Sequence, residues 1–156
     1  MRRKRLGTGT ALLAAVAATG LAFTQTAAAV TPQTASITAD CGSFGGGAAT
    51  LTATQSGTAA TITVQSAVTV PISLSKDSIT STLTLVKTGG GTTVFSGKKN
   101  PAMSAGSSVT VGPLSGTVAS GDSLEAFGGS LKMTVFGITI TCTATGPQSP
   151  GPFVFD

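Results

Sequence analysis

The stretch AATLTATQSGTAATITVQ, residues 48–65, alternates small or apolar residues with threonine, and does so on both sides of Ser56-Gly57. Successive side chains of a strand point to opposite faces, so a period of two describes a half-buried strand and not a helix. Gly57 gives the backbone the freedom that a tight turn needs. The two runs therefore predict a β-hairpin.

The same period continues outward from this hairpin. ASITADC, residues 35–41, sets Ile37, Ala39 and Cys41 on one face. AVTVPISLS, residues 67–75, places Val68, Val70, Ile72 and Leu74 on one side, and Pro71 marks an edge strand or a bulge because it has no N–H to give a ladder. ITSTLTLVK, TGGGT and TVFSGK (79–98) predict a second hairpin with a glycine-rich tip. KKNPAMSAGSS (98–108) has no period and predicts the longest loop. VTVGPLSGTVAS (109–120) reads as one broken strand or two short ones, and GDS turns into SLEAF. LKMTVFGITITCTAT (131–145) reads as the last strand region, with Gly137 at a bulge or tight bend. Turn residues recur about every ten positions, the spacing of an all-β sandwich or barrel. We expect a single Ig-like, Greek-key β-sandwich of about 8–9 strands over residues 35–146, with a barrel as the alternative closure. Residues 30–34 form a short N-terminal tail, and the Pro/Gly-rich residues 147–156, with Phe153 and Phe155, form a C-terminal one.

The first 29 residues differ in kind. Arg2, Arg3, Lys4 and Arg5 precede the apolar ALLAAVAATGLAF (11–23), and Ala27 and Ala29 make an A-x-A site. That order describes a secretory signal peptide, residues 1–29, and its apolar run is shorter than a bilayer-spanning helix. Removing it from 156 residues leaves about 127, one ordinary domain with no membrane span. It also removes the basic excess. What remains is Lys76, Lys87, Lys98, Lys99 and Lys132 against Asp40, Asp77, Asp122, Glu125 and Asp156, a net charge of zero. The pI of the full chain thus gives no support for nucleic acid as a partner.

Cys41 and Cys142 are the only cysteines, and both lie in alternating stretches of an exported chain, which predicts a disulfide between an early and a late strand. A reactive thiol would need a basic or cationic neighbour; the chain has no histidine, and Asp40 would raise the thiol pKa. Thr38 and Asp40 do not fit a lipobox. Gly45, Gly46 and Gly47 precede neither a helix nor a lysine, so they are not a phosphate loop. The S-x-x-K at Ser96–Lys99 and the K-T-G at Lys87–Gly89 stand in the reverse of the order that serine β-lactamases require, and Ser96 ends a strand. Asp122 and Glu125 read as a solvated turn, not as an acid–base pair, and Asp40, Asp77 and Asp122 lack a calcium-loop spacing. We expect no cofactor, no metal and no catalytic residue.

The alanine-rich TALLAAVAATGLAF (10–23), the first strand ending in Cys41, the threonine-rich β domain and the closing ITCTATGPQSP (140–150) together resemble small secreted, Streptomyces-like actinobacterial β-sandwich proteins of unknown function. The resemblance implies fold and an extracellular or cell-wall location, and it brings no catalytic residue. The expected role is non-enzymatic: a cell-envelope or extracellular interaction module whose partner is a protein or a cell-wall component. Two alternatives stand beside it. One is a protease inhibitor presenting the loop Lys98, Lys99, Asn100, Pro101 and Met103; the other is a carbohydrate-binding module.

Overall fold

The computed structural model describes residues 29–156. The proposed leader lies outside the described residues, apart from Ala29. Within the described residues the structure is all-β, with ten strands and one short 3-10 turn. No helix among them is long and apolar enough to cross a membrane.

The strands are β1 (Val30–Thr31), β2 (Thr34–Asp40), β3 (Gly46–Ser56), β4 (Ala59–Thr69), β5 (Thr80–Lys87), β6 (Thr92–Lys98), β7 (Ser108–Thr117), β8 (Ser123–Val135), β9 (Ile138–Ala144) and β10 (Phe153–Phe155). The opening stretch forms the β3–β4 hairpin, with Gly57 at a φ of 61° in its turn. The hairpin β5–β6 also forms as its pattern predicts.

Closure departs from the expected sandwich. Following the hydrogen bonds gives the order β8, β5, β6, β7, β4, β3, β2, β9, and β9 pairs again with β8. Eight antiparallel strands thus form a barrel. The β4–β7 stretch keeps a Greek-key order, since β5, β6 and β7 follow one another and β7 returns to lie beside β4. The ring closes because β8 serves two partners on one edge. Its first residues pair with β10 at Leu124↔Phe153, and its last pair with β9 from Leu131↔Cys142 to Val135↔Ile138. A bulge at Gly128-Gly129 bends β8 between these halves, and a Cβ at Gly129 would strike the Thr84 carbonyl. Neither the period nor the turn spacing encodes this double pairing, so a sandwich and a barrel look alike in the sequence.

Three local expectations change with it. Residues 131–145 do bend tightly at Gly137, but the bend divides the region into two paired strands: Phe136 and Gly137 have φ of 51° and 73°, and they reverse the chain between Val135 and Ile138. AVTVPISLS does not continue as a strand; β4 stops at Thr69 before Pro71, and residues 70–79 cross to β5 as an irregular connection. The residues read as a C-terminal tail belong to the fold. Phe153 and Phe155 are fully buried in β10, and Val30 of β1, from the segment read as the N-terminal tail, is buried beside them. Together they close one end of the barrel.

The two ends of the barrel differ. Around the closed end, Ile62, Leu85, Phe95, Leu114, Leu124, Phe153 and Phe155 are all buried. Gly116 leaves room there for Phe95, whose ring would lie 2.6 Å from an added Cβ. The opposite end carries the β2–β3, β4–β5, β6–β7 and β8–β9 connections, and its interior is not filled.

Candidate functional site

A cavity of about 430 Å³ occupies the open half of the barrel. Small-molecule sites typically fall between about 300 and 1,000 Å³, and eight strands give a barrel just wide enough to hold one such ligand. The cavity exists because inward-facing positions there carry small side chains. Ala39 on β2, Ala49 on β3, Ser66 on β4, Ala126 and Ser130 on β8 and Ala144 on β9 all line it. Larger side chains complete the wall, among them Ile37, Leu51, Val64, Leu83, Val111, Leu131, Met133 and Ile140.

Among the described residues, no charged side chain lines this space, and its few hydroxyls are Ser66, Thr69, Ser130 and Thr143. The Ser66 hydroxyl already accepts a hydrogen bond from the Val68 N–H at 3.1 Å. Such a surface holds hydrocarbon well and an ionised group poorly, because burying an unpaired charge costs far more than apolar contact returns.

One side of the mouth is roofed by chain. The β4–β5 connection bonds to the β6–β7 connection through Leu74 and Met103, each N–H donating to the other's carbonyl, and through Val70 with Ser107 and Gly106. Asn100 locks this roof. Its Oδ1 accepts from the N–H groups of Ser78 and Ile79 at 2.8 and 2.9 Å, and its Nδ2 donates to the carbonyls of Ser75 and Pro101 at 3.0 and 2.7 Å. In the contact loop proposed from sequence, Asn100 and Met103 are therefore buried supports, and only Lys98, Lys99 and Pro101 are exposed.

The other side of the mouth is the barrel seam. Only two residue pairs join β2 to β9, Ala39↔Ala144 and Asp40↔Thr143. The disulfide Cys41–Cys142 crosses at this junction with the Cα atoms 4.0 Å apart, and both cysteines line the cavity. Directly after Cys41 the 3-10 turn Gly42–Phe44 carries Phe44 to the rim. The cysteine pairing drawn from sequence is thus present, and it fastens the wall of the cavity.

The remaining candidates have structural duties. Asp122 accepts from the Ala119 N–H at 2.9 Å and pairs with Lys87 at 3.3 Å. Glu125 accepts from the N–H groups of Phe127 and Gln148 at 3.1 and 2.9 Å, holding the return segment before β10. Among the described residues, no three ligating side chains come together as a metal site. The cavity itself has no local motif. Alternating alanine and serine on inward faces was its one trace, and this is visible only once the closure of the barrel is known.

No family model, curated protein or solved structure matches the chain.

Proposed function

We propose that the protein is an exported, non-catalytic binding protein that takes an uncharged apolar group, such as an acyl or isoprenoid chain, into the open half of its barrel. One observation carries this: a cavity of about 430 Å³ whose walls bear no charge and whose volume is set by alanines and serines at positions that could have been filled. A polar terminus on the ligand would remain at the mouth, where solvent can meet it. This gives the expected extracellular or cell-envelope module a defined chemistry. The inhibitor alternative has less support, because the Lys98–Met103 loop is tied down by Asn100 rather than projected.

A solvatochromic naphthalene probe tests the proposal. We expect saturable binding at one site per chain in the micromolar range, competed by long-chain alcohols and not by sugars. Ala39→Leu combined with Ala144→Leu should abolish it while the protein stays folded by circular dichroism. Absence of saturable binding by a correctly oxidised protein would refute the proposal.

A further inference from the structure

Seven large apolar side chains are exposed on the described surface, and four of them stand at one place. Phe44, Ile72, Phe136 and Ile138 are 48, 53, 70 and 53% exposed, and all four line the mouth of the cavity. They come from three different connections: the β2–β3 turn, the β4–β5 crossing and the β8–β9 hairpin. The charges are also unevenly placed. Lys76, Lys98, Lys99 and Lys132 lie toward this end with Asp40 and Asp77, whereas Lys87 lies toward the closed end with Asp122, Glu125 and Asp156. A chain whose described charges balance thus carries two surplus positive charges around an apolar rim.

Phe136 adds an independent observation. It takes the first central position of a two-residue turn whose central residues both have positive φ. Asn-Gly is the sequence that such a turn favours, and a bulky side chain in the left-handed region is strained. The most exposed aromatic ring is therefore held at a hairpin tip where the backbone disfavours it.

We infer that this rim docks on an anionic lipid surface, with Phe136 and its apolar neighbours entering the interface and the lysines facing the headgroups. Apolar side chains ringed by lysines are the composition of an interfacial anchor. A second copy of the chain fits less well, since two rims of the same positive sign would face each other. The inference rests on the proposed cavity function in one respect only: the apolar occupant would be drawn from the surface to which the rim docks.

Flotation with vesicles of phosphatidylglycerol and phosphatidylcholine, and with phosphatidylcholine alone, tests it. The protein should float with the anionic vesicles and be released as salt is raised. Lys98→Gln with Lys99→Gln should weaken this by about 25-fold, at about fivefold per lysine, while soluble-probe binding is unchanged. Phe136→Asn should lose about tenfold or more in vesicle binding, yet melt about 4 °C higher because the turn is relieved. The loss then cannot come from unfolding. Equal flotation with both vesicle types, no flotation, or undiminished flotation of Phe136→Asn would each overturn the inference. So would a concentration-dependent dimer that Phe136→Asn abolishes, found without vesicle binding. The cavity-filled variant Ala39→Leu/Ala144→Leu separates the two proposals: it should still float while failing to bind the probe. Flotation of the wild type without probe binding would sink the cavity reading alone.

Discussion

Replacing both Cys41 and Cys142 by alanine probes the seam directly. The bridge joins residues 101 apart in sequence, and cross-linking a loop of that size lowers the entropy of the unfolded chain by about 4.7 kcal/mol at 25 °C. This is the largest value expected, since residual structure in the unfolded chain reduces it. A domain of this size has about 5–15 kcal/mol in total, so the bridge accounts for between a third and nearly all of it. At about 2.1 cal/mol/K per residue over a domain of about 127 residues, the corresponding fall in Tm is about 18 °C. Urea unfolding of the oxidised protein, the reduced protein and the double variant gives the comparison. The reduced protein keeps the sulfur volume, so it separates the cross-link from the small packing loss at buried Cys142. We expect both uncross-linked forms to lose several kcal/mol with a steeper denaturant slope, because their unfolded chains expose more surface. Loss of less than about 1 kcal/mol with an unchanged slope would refute the idea that the bridge acts on the unfolded chain. Probe binding should weaken in the same variants, since β2 is otherwise joined to β9 by two residue pairs beside the cavity.

Asn100→Ala should cost about 2–3 kcal/mol, measured by urea unfolding, because the N–H groups of Ser78 and Ile79 lose their acceptor near the barrel wall. A change below about 0.5 kcal/mol would mean that the roof of the cavity is held by other contacts. Ser81→Ala should act in the opposite direction: the Ser81 hydroxyl is fully buried without a hydrogen-bond partner, and removing it should gain about 1 kcal/mol. Destabilisation of that variant would count against an unpartnered hydroxyl.

What could be read from the sequence was local. The strands over 34–40, 46–69, 80–98 and 123–127 follow from a period of two and from glycine turns, because those signals act between residues a few positions apart. The cysteine bridge could be anticipated because only one pair exists. Closure could not, because it depends on one long strand, β8, changing partner from β10 to β9 across a glycine bulge. A bend at Gly137 could be read from its glycine, but not that it reverses the chain, because a phenylalanine at the preceding left-handed position contradicts turn chemistry. The buried Phe153 and Phe155 were hidden by the proline and glycine residues before them, which imitate a solvated tail.

The interior faces of the two halves of the barrel differ in side-chain size. Near the closed end the fold places Leu85, Phe95, Leu114 and Leu124 at inward positions, so these strands accommodate large side chains. Toward the mouth the same strand geometry presents Ala39, Ala49, Ser66 and Ala144. Exchanging one of these alanines for leucine would bury about three further carbons, worth about 2 kcal/mol where the space accepts them. That is stability which the sequence forgoes at several neighbouring positions. Water compensates poorly, because an ordered water needs two to four polar partners and these walls supply few. An apolar ligand of the kind proposed would make the missing contacts instead. Stability and ligand binding should therefore oppose each other at Ala39 and Ala144: leucine at either position should raise the melting temperature and weaken the probe together, whereas a cavity without a ligand would show only the first effect.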